Sequence, residues 1–125
     1  MLAIAPGWEL SLERGPNCML ARLSKEGPGD ELPPLADELW EQMRRHMTYQ
    51  VVLEMDAVGR LDSHIIGQLV KLYKRIREHD GLLRLCGLSA EDREVLHQCQ
   101  LESLLPTYPG RADALMGRSP TPKPR

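Results

Sequence analysis

The strongest constraint on the fold is a strand, helix and strand pattern in the middle of the chain. Residues 50–55 and 82–86 are short, nearly continuous apolar runs, as expected of interior parallel strands that helices cover. Between them, residues 63–79 place most of their apolar side chains on one broad face of a helix. Parallel strands joined by a helix form a βαβ unit with a right-handed crossover. The sequence therefore predicts an α/β fold with a mixed β-sheet.

Elements before this unit have their own patterns. Residues 8–14 alternate apolar and polar side chains, and a turn at residues 15–17 leads into a second strand at residues 18–24. This pattern predicts an N-terminal β-hairpin at the edge of the sheet. A first helix, with proline in its first turn, is predicted by apolar residues at four-residue spacing: Leu35, Leu39, Met43 and Met47.

A third helix is predicted after the second interior strand. Ser89 is its expected N-cap, and Asp92 stands at the third helical position in an imperfect capping box. The residues expected to face the core are Val95, Leu96 and Cys99. Residues 104–108 favour a last short strand, and residues 111–116 favour a terminal helical turn. We therefore expect a sheet packed against about four helices.

The length of 125 residues has room for one domain. We expect this domain to cover residues 1–116. Residues 117–125 are rich in proline and basic side chains, and they cannot bury enough apolar surface to offset chain entropy. We therefore expect a flexible tail.

Charge and cysteine content exclude several classes of function. The chain has 16 Lys and Arg against 18 Asp and Glu, so it lacks the basic excess that nucleic-acid binding requires. Cys18, Cys86 and Cys99 form an odd, widely spaced set, unlike a disulfide framework. The first apolar run is too short for a signal peptide or a membrane span. We expect a cytoplasmic protein, with Cys86 a buried apolar residue.

The densest local signal is residues 55–64, which join an interior strand to a helix. Loops at the carboxyl ends of strands are the usual place where ligands and partners bind. Ser63 stands at the predicted helix start, where free N–H groups and the helix dipole favour negative charge. A phosphate on Ser63 would add about −1.5 to −2 charges beside Asp62 and near Asp56. The alternative interpretation is that Ser63 is only a helix N-cap.

From residue 50 onward the order of motifs resembles the STAS domain of the anti-sigma factor antagonists, or anti-anti-sigma factors. The family's apolar strand, short loop with valine, and Asp-Ser pair opening a helix are matched by residues 51–58 and 61–63. Its basic helix end, glycine and next strand are matched by residues 74–77, Gly81 and residues 83–86. Its closing pattern is similar to residues 95–96, 101–108 and 111–115.

The resemblance implies a switch that is not an enzyme. In the family, an anti-sigma factor that is also a serine kinase phosphorylates the serine of the Asp-Ser pair, and a PP2C-type phosphatase reverses this. The unphosphorylated form binds the anti-sigma factor and frees the sigma factor. The resemblance thus implies that Ser63 is the phosphorylation site, and we expect a partner-binding surface of Asp56, Arg60, Asp62, Ser63 and His64. A STAS scaffold that is never phosphorylated, in a stressosome-like assembly or as an accessory subunit of a transporter, is the alternative.

The chain departs from the family after the Asp-Ser pair. Family members usually continue with a small residue and glycine, where this chain has His64 and Ile65. We expect the branched Cβ of Ile65 to keep a partner's backbone at a distance that glycine would not impose. Glu54 also stands where aspartate is usual, and Asp56 where a small polar residue is.

Other chemistry finds little support in the sequence. Asp62, Ser63 and His64 are adjacent and point in different directions at a helix start, so they do not form a catalytic triad. The histidines and cysteines lack paired-ligand spacing, so neither a metal nor a cofactor is expected. Two interpretations, a partner groove or ordinary core, stay open for Trp40, Met43 and Met47. A solvated helix face is expected for Lys71, Lys74, Arg75 and Arg77.

Overall fold

The computed structural model describes residues 2–15, 18–26 and 33–116. Its elements in chain order are β1 (Leu2–Ala5), β2 (Trp8–Arg14), β3 (Met19–Lys25), α1 (Leu35–Arg45), β4 (Gln50–Ala57), α2 (Ser63–Glu78), β5 (Leu82–Cys86), α3 (Ala90–Gln98), β6 (Thr107–Tyr108) and α4 (Arg111–Met116). The α/β class is confirmed. The tail at 117–125 lies outside the described residues, so the domain boundary at 116 stays a prediction.

The strands form one sheet whose spatial order follows the chain, from β1 to β6. The first three strands pair antiparallel, and the pairs β3 with β4, β4 with β5, and β5 with β6 are parallel. Gln50 of β4 lies opposite Leu82 of β5, and the register continues to Glu54 opposite Cys86. The mixed sheet and the central βαβ unit are therefore confirmed.

The two strands of the N-terminal hairpin pair as predicted, and residues 16–17 of the predicted turn lie outside the described residues. The predicted position of the hairpin at the sheet edge was wrong. β2 pairs along its whole length with β3, from Trp8 opposite Lys25 to Arg14 opposite Met19. The edge is instead β1, a four-residue strand that was not predicted from the sequence. The turn into β2 needs Gly7, whose φ is +81° and whose added Cβ would lie 2.8 Å from the Glu26 carbonyl oxygen.

The main core lies between one face of the sheet and helices α1, α2 and α3. Alternate residues of β4, such as Leu53 and Met55, point into it and are almost fully buried, since successive strand residues face opposite sides. The opposite face carries a smaller cluster of Val52, Cys86 and Ala114, which α4 covers. The sheet thus has one fully covered face and one covered mainly beneath α4.

Glu54 anchors α4 to the sheet. Arg111 of α4 donates from Nε to Glu54 Oε1 at 2.9 Å, and its Nη1 lies 3.1 Å from Oε2 of Glu13 on β2. The hydrogen bond with Glu54 raises the pKa of Arg111. Arg84 adds a hydrogen bond to the Ala114 carbonyl oxygen at 3.1 Å. The longer Glu54, in place of the family's usual aspartate, therefore has a contact of its own in this fold.

Helices α1 and α2 are joined by polar contacts that the sequence did not indicate. Gln68 Oε1 accepts the Ala36 N–H at 2.8 Å, which satisfies one free donor at the start of α1. Asp37 of α1 pairs with Arg75 at 2.8 Å and Lys71 at 3.4 Å. The hydrogen bond from Arg75 lowers the pKa of Asp37. The basic face predicted to be solvated is therefore exposed at Lys71 and half-buried at Arg75, and both side chains pair with α1.

The first helix begins and ends differently from its predicted limits. Pro34 occupies the N-cap position rather than the first turn, and the helix ends at Arg45. Met43 belongs to the core, whereas Met47 lies beyond the helix with φ of +50° and 80% exposure. Trp40 is half-buried and its ring lies 4.8 Å from that of His79. The core interpretation is thus confirmed for Met43 and wrong for Met47.

The third helix confirms its predicted start but not its whole inner face. The Asp92 N–H donates to Ser89 Oγ at 3.1 Å, so Ser89 is the N-cap. Leu96 is buried, Val95 is half-buried, and Cys99 is exposed. Cys99 was placed in the core wrongly, because the helix ends at Gln98 and Cys99 is its C-cap. The last strand is shorter than predicted, Thr107–Tyr108 alone.

The two cysteines at these elements should differ in reactivity. Burial raises the pKa of Cys86 to about 11, and the thiolate is the form that reacts. At pH 7.5 we expect a maleimide to label Cys99 in the folded protein and to leave Cys86 unlabelled until urea unfolds it. Peptide mapping by mass spectrometry measures both. Equal labelling of both residues in the folded state would contradict the burial of Cys86.

Candidate functional site

The candidate site is the loop at residues 58–62 together with the first turn of α2. β4 extends through Ala57, so Asp56 lies in the strand rather than in the loop. The chain then turns with the Val58 N–H donating to the Met55 carbonyl at 3.3 Å, and Gly59 adopts φ of +90°. Val58 and Leu61 are buried in the main core. The loop is thus anchored by its apolar residues and exposes the polar ones between them.

Asp62, not Ser63, caps α2. Asp62 has extended backbone angles and its Oδ1 accepts the Ile65 N–H at 2.9 Å. The alternative interpretation of Ser63 as a mere N-cap was therefore wrong. Ser63 is the first helical residue and is exposed. Within the described ranges, no side chain or backbone group forms a hydrogen bond with its hydroxyl.

The cap predicts a measurable stability difference between two Asp62 variants. Asp62→Ala is expected to lower the free energy of unfolding by about 1 kcal/mol, because one helix N–H loses its acceptor. Asp62→Asn should cost clearly less, since asparagine caps nearly as well. Urea denaturation followed by circular dichroism measures both. An alanine variant as stable as the wild type would show that Asp62 does not cap the helix.

A buried carboxylate holds the loop from the side of α3. Asp92 is only 3% exposed, and its Oδ1 accepts the Leu61 N–H at 3.1 Å. Nearby, Arg60 Nη2 lies 3.6 Å from Glu91 Oε2 in an exposed ion pair. Asp92 was predicted as part of a capping box within α3, and its contact with Leu61 was not predicted. No local signal indicates it, because the two partners are 31 residues apart.

His64 and Ile65 face inward to different degrees. His64 is half-buried, and its Nε2 donates to the Pro33 carbonyl oxygen at 3.0 Å. Ile65 is 1% exposed and belongs to the core stripe of α2. The expectation that Ile65 holds a partner's backbone away was therefore wrong, because its side chain does not reach the surface.

Asp56 lies apart from the other predicted site residues. Its side chain points to the opposite face of the sheet from Met55 and pairs with Arg22 at 3.2 Å. An added Cβ on Gly87, whose φ is +80°, would lie 3.0 Å from the Asp56 Cβ. The structure brings together Arg60, Asp62 and Ser63, places His64 beside them half-buried, and directs Asp56 to the far side of the sheet end.

Among residues 2–15, 18–26 and 33–116, no group of three or more His, Cys, Asp or Glu residues is arranged to hold a metal ion. None of the described helices is long and apolar enough to cross a membrane.

Comparison with known proteins identifies the family. The family model of the STAS domain matches residues 12–114, which is most of the chain and includes the whole candidate site. The chain belongs to the STAS domain family. The resemblance drawn from the motifs is thereby confirmed. No match was found among curated proteins.

Solved structures share the fold at low sequence identity. An anti-sigma factor antagonist from Mycobacterium paratuberculosis is 21% identical with a TM-score of 0.73, covering 92% of this chain and 97% of that one. A variant of RsbS from Moorella thermoacetica is 12% identical with a TM-score of 0.72, covering 86% and 92%. The phosphorylated form of the Bacillus cell fate determinant SpoIIAA is 14% identical with a TM-score of 0.65, covering 87% and 98%. The six-stranded sheet and four helices therefore match the STAS fold.

Proposed function

We propose that this STAS domain is an anti-sigma factor antagonist, a protein-interaction switch controlled by phosphorylation of Ser63. Its partner would be an anti-sigma factor that is also a serine kinase, and a PP2C-type phosphatase would reverse the modification. The observation that carries this proposal is the exposed Ser63 hydroxyl at the first helical position of α2. The switch would act in the cytoplasm, as a monomer or weak dimer, without catalysing a reaction itself.

The start of α2 suits a phosphoserine. Free backbone N–H groups and the positive end of the helix dipole meet at this position, and both favour an anion. Asp62 uses one of its oxygens for the Ile65 N–H, and in the described residues Ser63 has no competing hydrogen bond. A phosphate can therefore be added without breaking a contact of the hydroxyl.

The same phosphate would change what a partner meets. Arg60 and Asp62 are exposed and close to Ser63 in the chain, and the modification adds about −1.5 to −2 charges next to them. A partner that docks its own carboxylates on this surface would then be repelled. We propose Arg60, Asp62, Ser63 and His64 as the partner surface, with Asp56 at its margin.

The alternative remains a STAS scaffold that is never phosphorylated, within a stressosome-like assembly or beside a transporter. This function would need the same fold and the same exposed loop, but no chemistry at Ser63. The two proposals therefore differ in one observable, the transfer of phosphate to Ser63.

The deciding experiment is to incubate the full chain with candidate anti-sigma factor kinases and ATP. We expect intact mass spectrometry to show one added phosphate, peptide mapping to place it on Ser63, and Ser63→Ala to abolish it. Calorimetry should show that the unmodified chain binds the kinase and the modified chain binds it more weakly. Tight binding without phosphate transfer would assign the protein to the scaffold class instead.

A further inference from the structure

Among the described residues, Asp92 is the one buried charged side chain, with 3% exposure. Burying a charged group is costly unless it is hydrogen-bonded, so the hydrogen bond that the Asp92 carboxylate accepts offsets the cost of its burial. Its backbone N–H donates to Ser89 Oγ at 3.1 Å, and its carboxylate accepts the Leu61 N–H at 3.1 Å. The same residue thus closes the first turn of α3 and holds the loop before α2.

The loop has few other polar ties to the rest of the molecule. The Arg60–Glu91 ion pair is 3.6 Å long, with side-chain exposures of 82% and 77%, and such surface pairs contribute little. The turn bond from Val58 to Met55 is internal to the segment and long, at 3.3 Å. The Leu61 to Asp92 bond is therefore the main polar link between the loop and α3.

We propose that Asp92 is a positioning residue for Ser63, which it serves by fixing Leu61 two residues earlier in the chain. The cap residue Asp62 lies between them, so the place where α2 begins depends on where Leu61 is held. Movement of the first turn of α3 is thereby coupled to the presentation of the Ser63 hydroxyl. The role in modification rests on the function proposed for Ser63, whereas the hold on Leu61 does not.

The hold on the loop is tested by amide hydrogen exchange followed by NMR on the full chain. In the wild type, we expect the Leu61 amide to be protected and the amides of Gly59 and Arg60 to exchange rapidly. Asp92→Ala removes the acceptor, and Leu61 exchange should rise about ten- to a hundredfold, the range for a lost hydrogen bond to a charged group. Asp92→Asn keeps an acceptor oxygen and should restore most of the protection.

Ser89→Ala is the matched control. It removes the cap of α3 at a cost of about 1 kcal/mol but leaves the carboxylate of Asp92 in place, so Leu61 should stay protected. Asp92→Leu fills the same space without an acceptor and replaces Asp92→Ala if that variant does not fold. An unprotected Leu61 amide in the wild type overturns the proposal without any variant. So does equal Leu61 exchange in Ser89→Ala and Asp92→Ala.

The effect on Ser63 is read separately. With a kinase that modifies the wild type, Asp92→Ala should incorporate phosphate about tenfold more slowly at equal folded fraction, and Asp92→Asn should approach the wild-type rate. Unchanged incorporation in Asp92→Ala, despite faster Leu61 exchange, overturns the positioning role. If the wild type takes no phosphate from any kinase tried, the proposed function of Ser63 fails, while the exchange data still decide whether Asp92 holds the loop.

Discussion

Ser63→Asp is expected to weaken binding of the proposed anti-sigma factor partner by about tenfold, which corresponds to roughly 1.4 kcal/mol. A phosphate should weaken it further, because it adds up to about two charges where aspartate adds one. Ser63→Ala should bind like the wild type and take no phosphate. Isothermal titration calorimetry measures the affinities, and intact mass spectrometry measures the phosphate.

The position of Ser63 at the start of α2 separates an effect on binding from an effect on stability. An aspartate at the first helical residue interacts favourably with the helix dipole by about 0.3–1 kcal/mol, so a loss of binding cannot be explained by unfolding. Gln50→Glu is the matched control, since Gln50 is exposed at the opposite end of β4 and gains the same single charge. Weakened binding in both variants would indicate a general charge effect, and unchanged binding in Ser63→Asp would contradict a partner docked over Ser63.

The elements with strong periodicity were predictable from the sequence. The continuous apolar runs of β4 and β5 predict strands that are covered on both faces. The amphipathic pattern of α2 predicts a helix that is buried on one face. The structure has these elements in those positions. β1 was missed because four residues without alternation carry no period. Its identity as a strand comes from pairing with β2, a contact that no local pattern contains.

The site was predictable in location but not in detail. Asp62 and Ser63 are both good capping residues, and a local pattern cannot decide which of two neighbours caps, because a shift of one residue satisfies the same preferences. The apolar face predicted for α2 already included Ile65, which the structure buries with Leu69 and Leu72. The hydrogen bond from Leu61 to Asp92 depends instead on how α2 and α3 sit on the sheet. This tertiary contact is carried by no local pattern, which explains why the loop was found and this support was not.

Ile65→Gly is the substitution that would recreate the family's usual glycine, and we expect it to destabilise the domain strongly. Ile65 is 1% exposed and packs in the main core. Removing a buried isoleucine side chain costs about 2–5 kcal/mol, and glycine within a helix adds about 1 kcal/mol relative to alanine. The expected total, roughly 3–6 kcal/mol, is a large part of the stability of a small domain. Urea denaturation, followed by circular dichroism, measures this loss.

Gly67 provides the control on the same helix. It is exposed, and an added Cβ would meet nothing within 4 Å, so Gly67→Ala should raise the free energy of unfolding by up to about 1 kcal/mol. Opposite signs for the two substitutions would follow from one helix with a buried stripe through Ile65 and an open face at Gly67. A loss below about 1 kcal/mol for Ile65→Gly would instead mean that Ile65 contributes little to the core, and the side chain would again be a candidate for contact with the partner. With the expected loss, the departure from the family's glycine is explained by packing beneath the site, and the exposed surface around Ser63 stays open to a docking partner.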